Sequence, residues 1–218
     1  YINQGESGYF DFLSWNPINE RSIVLNMNID RLYFQYEKGK FSATIGRQRI
    51  NWGKTFVWNP NDIFNAYSFF DFDYAERPGS DAVRLQYYTS EVSSVELAAK
   101  IDKNEDITAA AIWRFNLKEY DFQILGGILN SSDYTIGAGW SGAIKSIDFK
   151  GEMSYFHPQD NFNDTTGMFI GTASLGYTFP NNLNLLFEFL YSDIPETNLS
   201  SFMNLFDGSL SVKTLSFT

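Results

Sequence analysis

Alternation constrains this chain more than any other feature. Ile107, Ala109, Ala111, Trp113, Phe115 and Leu117 share one parity, and Thr108, Ala110, Ile112, Arg114 and Asn116 the other. Ile147, Phe149, Gly151, Met153 and Tyr155 likewise oppose Asp148, Lys150, Glu152, Ser154 and Phe156. Residues 169–178 and 183–192 repeat the pattern. Successive side chains of a strand point to opposite faces, so period two without a long 3.6-residue stripe specifies strands with one apolar and one polar or small face. The pattern predicts strands near 8–14, 21–36, 40–52, 81–89, 94–102, 106–117, 120–130, 134–142, 146–156, 167–178, 183–192 and 209–218. Twelve strands in 218 residues leave about 18 residues for each strand and its connection.

The connections fall into two alternating classes. Glu37–Lys40, Thr89–Ser93, Lys118–Glu119, Ala143–Lys145 and Pro180–Asn182 are short. The opposite ends carry Gly53–Ser80, Lys103–Glu105, Ser131–Asp133, His157–Gly167 and Asp193–Gly208, three of them long. Tight turns at one end and longer loops at the other are the mark of an outer-membrane barrel. The expected fold is therefore all-β, an antiparallel up-and-down transmembrane β-barrel of about twelve strands. It forms one domain over residues 1–218, with a long external loop at 53–80.

Composition agrees. Aromatics at 18% and charged residues at 19% exclude a disordered tail, and no apolar run approaches the ~20 residues of a membrane helix. A net charge of −10 argues against nucleic acid as partner. The chain has no cysteine, which removes disulfides and thiolate metal sites. It opens on Tyr1 without a leader, as a processed or incomplete start would.

Period two cannot say which face is inside, and a soluble β-protein, such as a carbohydrate-binding one, would bury the apolar face. Three features favour apolar-out. The polar parity is rich in small residues: Thr135, Gly137, Gly139 and Ser141, then Thr172, Ser174 and Gly176. Such a face leaves room in a lumen. Apolar runs of about five alternate positions suit a tilted strand of ~9–11 residues crossing hydrocarbon. Aromatics such as Tyr87, Trp113, Tyr134, Trp140, Tyr155 and Tyr191 gather at the ends of the apolar faces, where barrels carry interfacial girdles. The second and third strands shift phase. A tight hairpin there would set Asp30 opposite Arg47, with a β-bulge or strands projecting beyond the membrane explaining the shift.

Apolar-out places Arg84, Glu96, Lys100, Arg114, Asp121, Lys150, Glu152 and Glu188 inside, with Asp30, Arg47 and Arg49. Signs are mixed, so either a conducting channel or a plugged interior of paired charges is open. The 53–80 loop is too aromatic for disorder and too long to be idle. Trp58, Asn59 and Asp62 sit in its Asn-Pro-Asn-Asp turn, and Phe70, Asp71 and Asp73 in its second half. It folds over the mouth, enters the lumen as a constriction, or docks a partner. No cofactor or metal is expected; Asp71 and Asp73 fall short of a Ca²⁺ cage, and ordinary exposed acids are the plainer reading. Fifteen of the 26 acids sit at the long-loop end, a negative rim that serves solubility, attracts cations, or binds divalent ions bridging to lipid phosphates. Enzymatic activity is not expected. His157 is the single histidine, Ser154 has the opposite parity, and no nucleophile elbow or phosphate loop occurs.

Gly46-Arg47-Gln48-Arg49-Ile50-Asn51-Trp52-Gly53, then Trp58-Asn59-Pro60-Asn61-Asp62, then Arg77-Pro78-Gly79-Ser80-Asp81-Ala82-Val83-Arg84 resemble one family. This is the porin-like outer-membrane barrels of Bacteroidota and related Gram-negative families, where a G-R-Q-x-x-x-W-G strand precedes an N-P-x-D loop. The match spans residues 46–84, and beyond it the similarity is one of pattern. The resemblance implies the bacterial outer membrane, a channel or assembly role, and Arg47, Arg49 and Arg84 as lumen residues. Members of such families are longer, so the chain reads as part of a larger barrel. The expected partners are outer-membrane lipid and lipopolysaccharide, small hydrophilic solutes and other outer-membrane proteins. The favoured function is a porin-like channel; the alternative is a non-conducting barrel subunit of an assembly or uptake complex.

Overall fold

The structure is a computed structural model that describes residues 14–20, 23–64, 79–102, 105–160 and 162–193. Twelve strands follow in order: β1 (Ser14–Glu20), β2 (Ile23–Asn28), β3 (Leu32–Lys38), β4 (Phe41–Gln48), β5 (Ser80–Ser90), β6 (Ser93–Ile101), β7 (Ile107–Leu117), β8 (Tyr120–Leu129), β9 (Asp133–Ile144), β10 (Ile147–Pro158), β11 (Met168–Thr178) and β12 (Asn184–Ser192). β3 to β12 form one antiparallel sheet in strict sequence order, while β1 and β2 pair separately. Of the expected all-β antiparallel barrel of about twelve strands, the described residues show ten strands in one open sheet and two that pair apart from it. Expected strand 209–218 lies outside the described residues, as does most of 8–14.

The turns follow from local chemistry. Lys118 and Glu119 both take positive φ, 51° and 70°, which matches a two-residue hairpin turn to the twist of its strands. Gly39 supplies the same conformation between β3 and β4. That hairpin sets Leu32, not Asp30, opposite Arg47, because Lys38 pairs with Phe41 and the turn is two residues tight. The phase shift has its own cause. The expected strand 21–36 is broken at Ile29–Arg31, and its halves belong to different sheets. No bulge occurs in β4, whose pairing with β3 and β5 runs through without a slip. Gly46 takes φ 118°, a conformation that suits glycine, and an added Cβ there would strike the Leu32 carbonyl oxygen.

The apolar parity faces outward. Val83, Leu97, Ile107, Trp113, Ile124, Ile136, Leu175 and Phe189 are all exposed, Ile136 at 60%. The opposite parity is covered except toward the short turns, where Asn116, Asp121 and Asp148 are exposed, and its rows run in register across the sheet. Ser94, Arg114, Gln123, Gly139, Glu152 and Thr172 form one row, and Asp121, Ser141, Lys150, Ser174 and Glu188 the next. Toward the long-loop end the inner rows turn apolar, through Ile112, Leu125 and Ile170 to Ala110, Phe156 and Met168.

Candidate functional site: an inserted segment on the polar inner face

After β4 the chain does not rise over the rim but turns against the inner face. Ile50, Trp52, Ile63 and Phe64 are buried, and they join Ala82, Ala98, Ile112, Leu125, Phe156 and Ile170 in a dry cluster near the long-loop end. Trp52 and Phe64 meet edge to face at 4.8 Å. Of the three expected positions for this loop, the described part occupies the interior; residues 65–78 lie outside the described set.

Strands from both halves of the sheet grip the segment. Trp52 Nε1 donates to Glu96 Oε1 of β6 at 2.8 Å, and Gln123 Nε2 of β8 donates to the Trp52 carbonyl at 2.6 Å. Asn61 Nδ2 donates to the Ala138 carbonyl of β9 at 2.9 Å, and Ser154 Oγ of β10 donates to Asn61 Oδ1 at 2.7 Å. A Cβ on Gly137 would collide with Asn61, which explains the small-residue stripe on β9. The room those residues leave is filled by the Asn-Pro-Asn turn rather than by solvent. Lys100 Nζ and Ser80 Oγ both donate to the Phe64 carbonyl, at 2.7 and 2.8 Å.

Two inner carboxylates bind mainly main chain, Glu152 also accepting from Thr55 Oγ1 at 3.2 Å. Glu152 accepts from the Lys54 and Thr55 amides on Oε1, the latter at 2.7 Å, and from the Asn61 amide on Oε2 at 3.1 Å. Glu188 accepts from the Phe56, Val57 and Trp58 amides at 2.7–3.2 Å. Consecutive N–H groups converging on an anion form a nest, and charge-assisted bonds of this kind are stronger than neutral ones.

The other expected site residues take distinct places. Arg114 is ion-paired to Glu96 at 2.8 Å on the inner face. Arg84 and Lys150 are half-buried there, and Arg49 is half-buried just past β4. Asn59 accepts the Asp62 amide, and Asp62 is buried rather than part of a solvated rim, as is Asp133. Phe70, Asp71 and Asp73 lie outside the described residues. Arg47 is a correction. It pairs bidentately with Asp81, Nε to Oδ1 and Nη2 to Oδ2, both 2.9 Å, on the parity of exposed Val83, and its Nη1 reaches the Ile29 carbonyl. Its odd number puts it on the parity of Phe41, Ala43 and Ile45, outside the even-numbered inner set of Ser42, Thr44 and Gln48.

Beside the segment, toward the short turns, lies a cavity of about 260 Å³ lined by Lys54, Arg114, Asp121, Glu91, Ser93 and Ser94 among others. Burial holds the Lys54 ammonium below the ordinary lysine value of 10.5, Asp121 partly offsetting it and Arg114 adding to it. Sequence reasoning missed Lys54, Thr55, Asn61 and Gln123 as members of this site. The glycines of β9 were their signal. Ser154 and His157 do not meet as a catalytic pair: Ser154 is bonded to Asn61, while His157 stacks on Phe162 at 4.1 Å. Among the described residues no cluster of three or more His, Asp or Glu could hold a metal.

Neither a protein-family model nor a curated protein sequence matches this chain. A solved structure does: OccK11 (OpdR) of Pseudomonas aeruginosa, an outer-membrane porin, superposes with a TM-score of 0.53 at 11% identity. The fold is porin-like. The superposition covers 78% of this chain and 53% of that protein, so the chain spans about half its length.

Proposed function

We propose that this protein is an outer-membrane porin-like channel passing small hydrophilic solutes, with segment 49–64 narrowing the passage. One observation carries the reading: bulky apolar side chains face outward along the sheet, while the polar face is inside and is crossed by an inserted segment. Outward Leu, Ile and Phe suit acyl chains, and inward Glu, Lys and Arg suit a hydrated axis. The porin-like fold and the motif-level likeness to Bacteroidota barrels support the same location. Lipid and lipopolysaccharide would then be its surroundings, and its activity transport rather than catalysis.

Purified protein reconstituted in planar bilayers tests this. Stepwise single-channel currents are expected, from material that needs detergent for solubility and shifts in gel migration on heating. A folded, heat-modifiable protein that never conducts would end the channel reading. It would favour a non-conducting subunit of an assembly or uptake complex, for which the dry cluster around Trp52 and Phe64 is the specific support.

A further inference from the structure

Every backbone amide from Lys54 to Trp58 donates to one of only two side chains. Lys54 and Thr55 bond Glu152, and Phe56, Val57 and Trp58 bond Glu188. Glu152 is 1% exposed and lies on β10, while Glu188 lies on β12, the last strand of the sheet. The anions come from the wall and the nests from the segment, so the wall decides whether the segment stays. Without these acceptors five adjacent amides would lose charge-assisted hydrogen bonds, the strong kind, and with them the hold of the wall on the segment. Thr55 strengthens the docking, its Oγ1 lying 3.3 Å from Thr172 Oγ1 on β11.

We propose that Glu152 and Glu188 are positioning residues, two wall carboxylates that latch Lys54–Trp58 by its consecutive amides and so fix the bore of the passage. The proposal rests on the channel reading above. Other charges facing the latch are Lys54, Asp121, Arg114 and Lys150. None of them is bonded to the five amides. A glutamine offers one acceptor oxygen where each glutamate uses two, so Glu→Gln removes part of the latch while keeping its shape.

The absence of cysteines permits a clean test. Val57→Cys is introduced alone and with Glu188→Gln or Glu152→Gln, and labelling by a hydrophilic maleimide is timed on folded, heat-modifiable protein. Labelling about ten-fold faster or more is expected in both double variants, the scale of losing a charged hydrogen bond. In bilayers Glu188→Gln and Glu152→Gln should flicker between two conductance levels. Thr55→Cys with Thr172→Cys should oxidise to a disulfide, and this lock should suppress the flicker of Glu188→Gln until reductant is added. Unchanged labelling, failure of that disulfide to form, or Glu→Gln proteins that lose the heat-dependent shift altogether would each overturn the latch, the last by reducing both acids to fold determinants. Accelerated labelling without current in any variant would keep the latch and remove the channel.

Discussion

At the residue scale, the charges divide by what satisfies them. Arg47 is 1% exposed, and its guanidinium donates to Asp81 from Nε and Nη2 and to the Ile29 carbonyl from Nη1. Removing one member of a buried pair leaves the other charge uncompensated, at about 3–5 kcal/mol. Asp81→Asn should therefore lower unfolding stability in detergent by an amount of that order, measured by denaturant titration, whereas the more solvent-accessible Asp30–Arg31 pair should be worth under ~1 kcal/mol. Lys54 behaves differently, because its ammonium sits beside a cavity with its proton affinity lowered by burial. Between its own value and 10.5 the folded chain binds fewer protons than the unfolded one, so stability rises with pH across that window. Its positive charge disappears before that of ordinary lysines. Cation selectivity, read as reversal potential in a salt gradient, should rise as pH is raised from 7 toward 10.5, ahead of any change from ordinary lysines. Lys54→Met should show the high-pH selectivity at pH 7 and lose this titration.

At the scale of elements, strand identity was legible because alternation is a local property. Most strand ends from β5 to β12 fall within a residue or two of the expected ones. Parity also put Glu96, Lys100, Arg114, Glu152 and Glu188 on the inner face. It could not name their partners, since Glu188 meets Val57 across 131 positions of sequence and nothing local records that. The expectation of Arg47 inside runs against its own parity, which it shares with Phe41, Ala43 and Ile45. The small residues of β9 were correctly read as room, but room for Asn61 instead of for water. The outward face makes the sharpest demand on a strand. Ile136→Arg at an exposed position of β9 should weaken folding into liposomes by up to ~2–4 kcal/mol, the cost of arginine near the midplane. An inner substitution such as Ser174→Thr should be near neutral in the same assay.

At the scale of the whole molecule, the inner face is graded. Its long-loop end is packed with aliphatic and aromatic groups around Trp52, and its short-turn end is ionic and partly open. Among the described residues β3 and β12 remain the two ends of the sheet, each with one unpaired flank. Hydrocarbon tolerates no such flank, so a membrane position requires their pairing by chain outside the described residues or by a neighbouring subunit.

Segment 49–64 joins adjacent strands, β4 and β5, yet finds acceptors on β10 and β12, whose residues follow it by about a hundred positions. These are contacts of high sequence separation, and such contacts form late because loop closure precedes their reward. The hairpins can therefore zip in order from β3 onward while the segment still has nowhere to lodge. A wall assembling this way begins bare and takes in its lining last, once β10 and β12 are in place.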